Sequence, residues 1–140
     1  MKKKLMLMLA GLIMLVATIN AMAQQSTSAD GQAIKKGMTK VTILYPAGDG
    51  KKFDMDYYLN KHIPMVKGLF AGALKATAID IGIAGGAAGA PTPFVVICCF
   101  YFDNVSAFQN AMAANGPKIQ GDIPNYTNIQ PVIQISKVLE

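Results

Sequence analysis

The chain has 140 residues, 52% of them hydrophobic, and carries 13 lysines, no arginine and 8 acidic residues for a formal net charge of +5. Lys2, Lys3 and Lys4 precede an apolar stretch over residues 5–17; setting these three aside leaves ten lysines against eight acids, a net charge of +2. With no arginine-bearing basic patch, nucleic acid is excluded as a partner, and the two adjacent cysteines offer neither a C-x-x-C metal spacing nor an unstrained disulfide.

The positive start, the apolar run and the small-x-small sequence Ala21-Met22-Ala23 have the form of a cleavable signal peptide over residues 1–23. The run is shorter than the roughly 20 apolar residues a spanning helix needs. No cysteine follows it to carry a lipid, so no stable membrane anchor is expected after cleavage. An uncleaved N-terminal anchor is the alternative reading. The expected location is the periplasm or the extracellular medium. Residues 24–38 are mostly polar and read as a flexible tether, which leaves residues 39–140 as one domain.

Residues 40–45 (KVTILY) are β-branched and aromatic and end at Pro46, which predicts a strand. Asp54 is a suitable N-cap for a helix over residues 55–70. There Met55, Leu59, Ile63, Val66 and Phe70 form an apolar stripe at helical spacing, with Tyr58, His62, Met65 and Leu69 at its edge. Pro64 falls inside the pattern, so the helix should loosen and the Asn60 carbonyl lose its partner. Residues 74–83 predict a second strand, with Thr77, Ile79, Ile81 and Ile83 on one side, and the Gly/Ala/Pro stretch 84–93 a connection. Residues 94–102 (FVVICCFYF) are apolar on both faces, which predicts a central strand covered on both sides. Cys98 and Cys99 then point to opposite faces as buried thiols. Asp103 or Ser106 would cap a second helix that turns Val105, Phe108 and Met112 inward and stops at Asn115-Gly116-Pro117. Residues 118–130 are expected to be irregular, and 131–138 to close as a fourth strand.

The order βαββαβ is the α+β ferredoxin-like plan: a four-stranded antiparallel sheet with two helices on one face. The other face needs a cover, because the third strand is apolar on both sides. A second copy of the sheet supplies one and predicts a homodimer, that is, a dimeric α/β barrel.

Three segments, Phe53-Asp-Met-Asp-Tyr-Tyr-Leu-Asn-Lys-His-Ile-Pro-Met65, Phe102-Asp-Asn-Val-Ser-Ala-Phe108 and Asp122-Ile-Pro-Asn-Tyr-Thr127, resemble the signature of EthD-domain proteins, and the resemblance extends over residues 39–140. It implies the same ferredoxin-like dimer. It also implies a reductase-type label within a wider superfamily of monooxygenases, isomerases, cyclases and haem enzymes, and a fold shared so widely does not choose among them. An exported chain would work away from the cytosolic NAD(P)H supply.

His62 is the one histidine and can exchange a proton near neutral pH. Tyr58 lies one helical turn before it, and Tyr126 could close over the same cleft; these three are the candidate catalytic residues. Tyr45, Met65, Asp122 and Asn125 are the candidate substrate contacts, with Asp122 able to orient the imidazole. Against this stands a structural role, in which His62 bonds the carbonyl freed by Pro64 and Tyr58 packs in the core. The glycines of 85–89 do not form a G-x-G-x-x-G dinucleotide fingerprint, so the cofactor stays unassigned and no metal is expected. Three functions remain: an oxidoreductase or cofactor-free acid–base enzyme acting on a small aromatic or ketonic molecule, a non-catalytic binder of a small hydrophobic ligand, and a haem protein ligated through His62.

Overall fold

The computed structural model describes residues 33–140. The expected signal peptide and most of the expected tether lie outside the described residues. Four strands, β1 (Thr39–Pro46), β2 (Leu74–Ile81), β3 (Phe94–Phe102) and β4 (Val132–Lys137), form one sheet in the order β2-β3-β1-β4. Every neighbouring pair is antiparallel. Two helices pack on one face, giving the ferredoxin-like α+β architecture.

The central position of β3 follows from its composition. Val96, Cys98, Phe100 and Phe102 turn toward the helices and join Val41, Tyr45, Val66 and Phe70 in the main core. Cys99 and Tyr101 turn the other way and pack with Met38 and Ala76. The two thiols thus occupy opposite faces, both free and both buried. Met38, at the edge of the expected tether, is held by the domain: Gly37 N–H donates to the Val138 carbonyl and Val138 N–H to the Met38 carbonyl, each at 2.8 Å. β2 stops at Ile81 rather than Ile83. Beyond it Gly82 lies so close to the Phe94 carbonyl and the Thr92 side chain that a Cβ would not fit.

The first helix starts as one α-turn at Met55–Tyr57, capped as expected by Asp54, whose Oδ1 accepts from Tyr57 N–H at 2.9 Å. It then widens into π-helix over Tyr58–His62, where Ile63 N–H reaches back to the Tyr58 carbonyl, and resumes as α-helix over Ile63–Leu69. The wide turn lies directly ahead of Pro64, which has no N–H to continue the regular ladder. It corrects the expected apolar stripe. The surplus residue rotates the helix face, so Tyr58 and His62 are 1% and 5% exposed while Leu59, placed on the stripe by simple 3.6-residue spacing, is 44% exposed.

The second helix departs further from expectation. It runs over Val105–Asp122, straight through Gly116 and Pro117, and a short 3-10 turn, Ile123–Asn125, follows it. Its N-cap is Asn104, whose side chain accepts from Ala107 N–H at 2.9 Å. Asp103 instead pairs with Lys75 at 3.2 Å, and Val105 is half exposed rather than inward. A proline inside a helix forfeits a hydrogen bond at a cost of about 3 kcal/mol, yet continuing the helix sets Ile119 and Ile123 against the core. Asn115 ties the helix at the point where it was expected to stop: its Nδ2 donates to the Leu69 carbonyl at 3.1 Å and the Ala111 carbonyl at 3.0 Å. This continuation carries Asp122 to the site.

Candidate active site

Between the sheet and the two helices lies a cavity of about 100 Å³. Most of its wall is apolar: Val41, Ile43 and Phe100 from the sheet, Val66 and Phe70 from the first helix, Phe108 and Met112 from the second. An apolar protein cavity of about 150 Å³ is known to hold a benzene molecule; at about 100 Å³ this space takes at most one small ring, which would extend toward its open end. Gln120, Ile123, Pro131 and Ile133 also border a broader surface depression, so the cavity opens between the end of the second helix and β4.

Tyr45, Tyr58, His62 and Tyr126 also line the cavity. The wide turn stacks Tyr58 on His62, with ring centres 5.4 Å apart and planes 16° from parallel. Tyr126 is fixed by its backbone, which accepts from Asp54 N–H at 2.7 Å. The next residue, Thr127, donates from Oγ1 to the Lys52 carbonyl at 2.7 Å, and Asn128 Oδ1 accepts from Lys52 N–H at 2.8 Å. The Tyr126 hydroxyl lies 2.8 Å from that of Tyr45 and 3.4 Å from His62 Nε2.

On its far side the imidazole meets Asp122, with Nδ1 2.8 Å from Oδ2. The other carboxylate oxygen, Oδ1, accepts from Tyr57 OH at 2.9 Å and from Asn125 Nδ2 at 2.8 Å. His62 therefore bonds a carboxylate rather than the Asn60 carbonyl. With Asp122 an acceptor, the proton of the neutral imidazole sits on Nδ1, which leaves the Nε2 lone pair facing Tyr126 and the cavity.

Burial pushes His62 below the ordinary histidine value, and the attraction of Asp122 only partly opposes it. The contact has the geometry of an ion pair, but the balance leaves the imidazole neutral near pH 7. Desolvation alone would raise Asp122; the bonds from His62, Asn125 and Tyr57 outweigh it and hold the carboxyl below the ordinary value. Burial raises Tyr45, Tyr58 and Tyr126, keeping all three as phenols able to donate. It also pushes the Cys98 thiol, which neighbours Tyr58, up to about 12, so Cys98 stays protonated.

A pH dependence of stability follows. Because His62 titrates lower in the folded chain than its unfolded value of 6.5, the unfolded chain binds more protons between those two points. Its contribution is complete above pH 6.5 and is lost as pH falls through the folded value. Asp122 adds a loss of the same sign below its unfolded value of 3.8. Melting temperatures taken from pH 8 to pH 5 should fall on the acid side for the wild type and stay flatter in His62→Gln. Parallel curves would remove His62 as the cause.

Of the residues singled out from the sequence, Tyr45, Tyr58, His62 and Tyr126 line the cavity, and Asp122 meets it only through His62. Met65 packs against the core without lining the cavity, and Asn125 bonds Asp122 from the exposed side. Tyr57 was not foreseen: it precedes the tyrosine that faces the core, and its partner Asp122 is distant in sequence. A haem does not fit, since the cavity is far smaller than the macrocycle.

Fold and site together define a ferredoxin-like α+β domain with an Asp–His pair and three tyrosines around a small apolar cavity. The EthD domain model matches residues 50–130, and the chain belongs to the EthD family. It is similar to the crystal structure of an EthD-like protein from Ralstonia eutropha JMP134, at 44% identity and a TM-score of 0.71, over 76% of this chain and 96% of that one. An ethyl tert-butyl ether D (EthD) family protein from Bacillus halodurans C-125 shares the fold at 21% identity and a TM-score of 0.52, over 73% of this chain and 99% of that one. No curated protein matches the chain.

Proposed function

We propose that the protein is an acid–base enzyme that moves a proton on a small neutral ketone or phenol. The observation that carries this reading is the orientation of His62, whose Nδ1 is held by Asp122 while Nε2 faces the phenols of an otherwise apolar cavity. The C–H bond beside a substrate carbonyl breaks as its proton passes to Nε2, and its electron pair moves into the carbonyl to give an enolate. A neutral tyrosine, Tyr58 or Tyr126, donates a hydrogen bond to the enolate oxygen. The imidazolium then returns the proton to the same carbon or, in an isomerisation, to another. Among the two activities expected from the sequence, acid–base chemistry fits better than oxidoreduction, because the groups that converge carry protons.

The test is exchange of α-protons for deuterium in D2O, followed by NMR on cyclopentanone, cyclohexanone and cyclohexenone. The expected result is exchange well above the buffer rate. A thermal-shift titration runs beside it, since a ligand at 100 times its dissociation constant stabilises a fold by about 2.7 kcal/mol. Stabilisation without exchange would replace the enzyme by a binding or accessory protein for a small hydrophobic ligand. Neither response from any of the three ketones would sink the reading.

The proposal extends to an exported homodimer. Export is supported by Lys2–Lys4, the apolar run and Ala21-Met22-Ala23; pairing is supported by the sheet face on which no helix of the described residues packs, where Ala78 and Ile97 lie beside Cys99 and Tyr101. A single-chain mass by light scattering at micromolar concentration would remove the dimer, and an uncleaved N-terminus after expression in a bacterial host would remove the signal peptide.

A further inference from the structure

The carboxylate that orients His62 is itself oriented. Asp122 stands at the last position of the second helix, and an aspartate there could present either oxygen to a neighbour. Its two oxygens are divided between partners: Oδ2 goes to His62 Nδ1, while Oδ1 takes Tyr57 OH from the first helix and Asn125 Nδ2 from the following turn. Asn125 is exposed, and Tyr57 is half-buried. The Tyr57 ring lies nearly parallel to that of Tyr126, at 6.4 Å and 21°, so one side chain touches both the group that holds the imidazole and the phenol that faces it. The Lys61 ammonium lies over the same ring, 5.1 Å from its centre.

We propose that Tyr57 is a positioning residue: sharing Asp122 Oδ1 with Asn125, it turns Oδ2 to His62 Nδ1 and sets how much of the carboxylate's charge the imidazole receives. The role rests on the reading of His62 Nε2 as the base, but its test does not need turnover. The groups facing the imidazole are Asp122 from the second helix, Tyr58 from its own helix and Tyr126 from the segment before β4. Tyr45 of β1 reaches it through Tyr126, and Cys98 of β3 lies behind Tyr58. Of these only Asp122 is charged near pH 7, so a change in how its charge is shared registers on His62 before anything else.

Tyr57→Phe keeps the ring and its stacking and removes only the hydroxyl. With one donor fewer on the carboxylate, more of its charge is available to the imidazole, which favours the imidazolium. Because His62 is the one histidine, its titration and tautomer can be followed by nitrogen-15 and proton NMR without assignment. The wild type should show one tautomer, protonated at Nδ1. Tyr57→Phe should move the titration midpoint upward while the neutral imidazole keeps its proton on Nδ1, which a more charged Asp122 holds more strongly. A lowered melting temperature with the midpoint unchanged would overturn the proposal, since a purely structural tie between the two helices predicts that result. Absence of ketone exchange in the wild type would count against the enzyme reading alone and leave this measurement readable.

Discussion

In His62→Gln, deuterium exchange into a ketone turned over by the wild type is expected to fall by about 10²- to 10⁴-fold, the usual contribution of a positioned general base. Glutamine can still hydrogen-bond Asp122 and fills a similar space, so the fold should survive and the loss be confined to the chemical step. It should appear in kcat more than in KM, because Nε2 takes the proton as the transition state forms. Asp122→Asn should give a smaller loss: the base remains, but an amide no longer demands that the proton sit on Nδ1. The wild-type acid limb should lie below the ordinary histidine value of 6.5, the direction in which burial moves His62. Undiminished exchange in His62→Gln would remove His62 as the base. The tyrosines alone could not replace it, since burial keeps them protonated.

The largest expected loss of stability lies on the other side of the core. Phe102 is fully buried at the end of β3 and holds the rings of Phe70 and Phe108, one from each helix, at 5.7 and 5.4 Å. In Phe102→Ala the transfer term and the residual cavity together should cost about 3–5 kcal/mol. That is a large share of the roughly 5–15 kcal/mol of a typical domain, and in a domain near 100 residues it lowers Tm by on the order of 20 °C. Urea unfolding should show the midpoint falling at nearly constant slope. A loss below about 1 kcal/mol would mean that the helices are not pinned through this residue.

Both sites bear on what the sequence makes legible. Phe102 could be read directly, because nine apolar residues in a row suit a strand covered on both faces. The register that splits Cys98 from Cys99 needed only the two-residue period of a strand. The active-site helix was harder. Periodicity assigned Leu59 to the core and His62 to the edge, and the π-turn exchanged them. Pro64 announced a disturbance, but whether it took the form of a kink or a wide turn depended on packing against Tyr126. The second helix was cut short at Gly116-Pro117 because the local cost of proline is visible in the sequence, whereas the compensating burial of Ile119 and Ile123 is not. Asp122 could be singled out beside the Pro-Asn-Tyr segment. Tyr57 could not, since its role exists only where two helix ends 65 residues apart meet.

The wide turn at Tyr58–His62 makes chain length itself a variable of the site. A side chain elsewhere in the core can be exchanged for one of similar volume and the structure adjusts by tenths of an ångström, but a helix gains or loses residues only in whole steps. Deleting one residue within this turn would let the helix close into regular α-form and swing everything on one side of it by about 100° relative to the other. The Tyr58–His62 stack and the His62–Asp122 bond could not both survive that rotation. Among relatives, a single-residue gap here would separate chains that keep the pocket from chains that keep only the fold, even where every histidine, tyrosine and aspartate is retained.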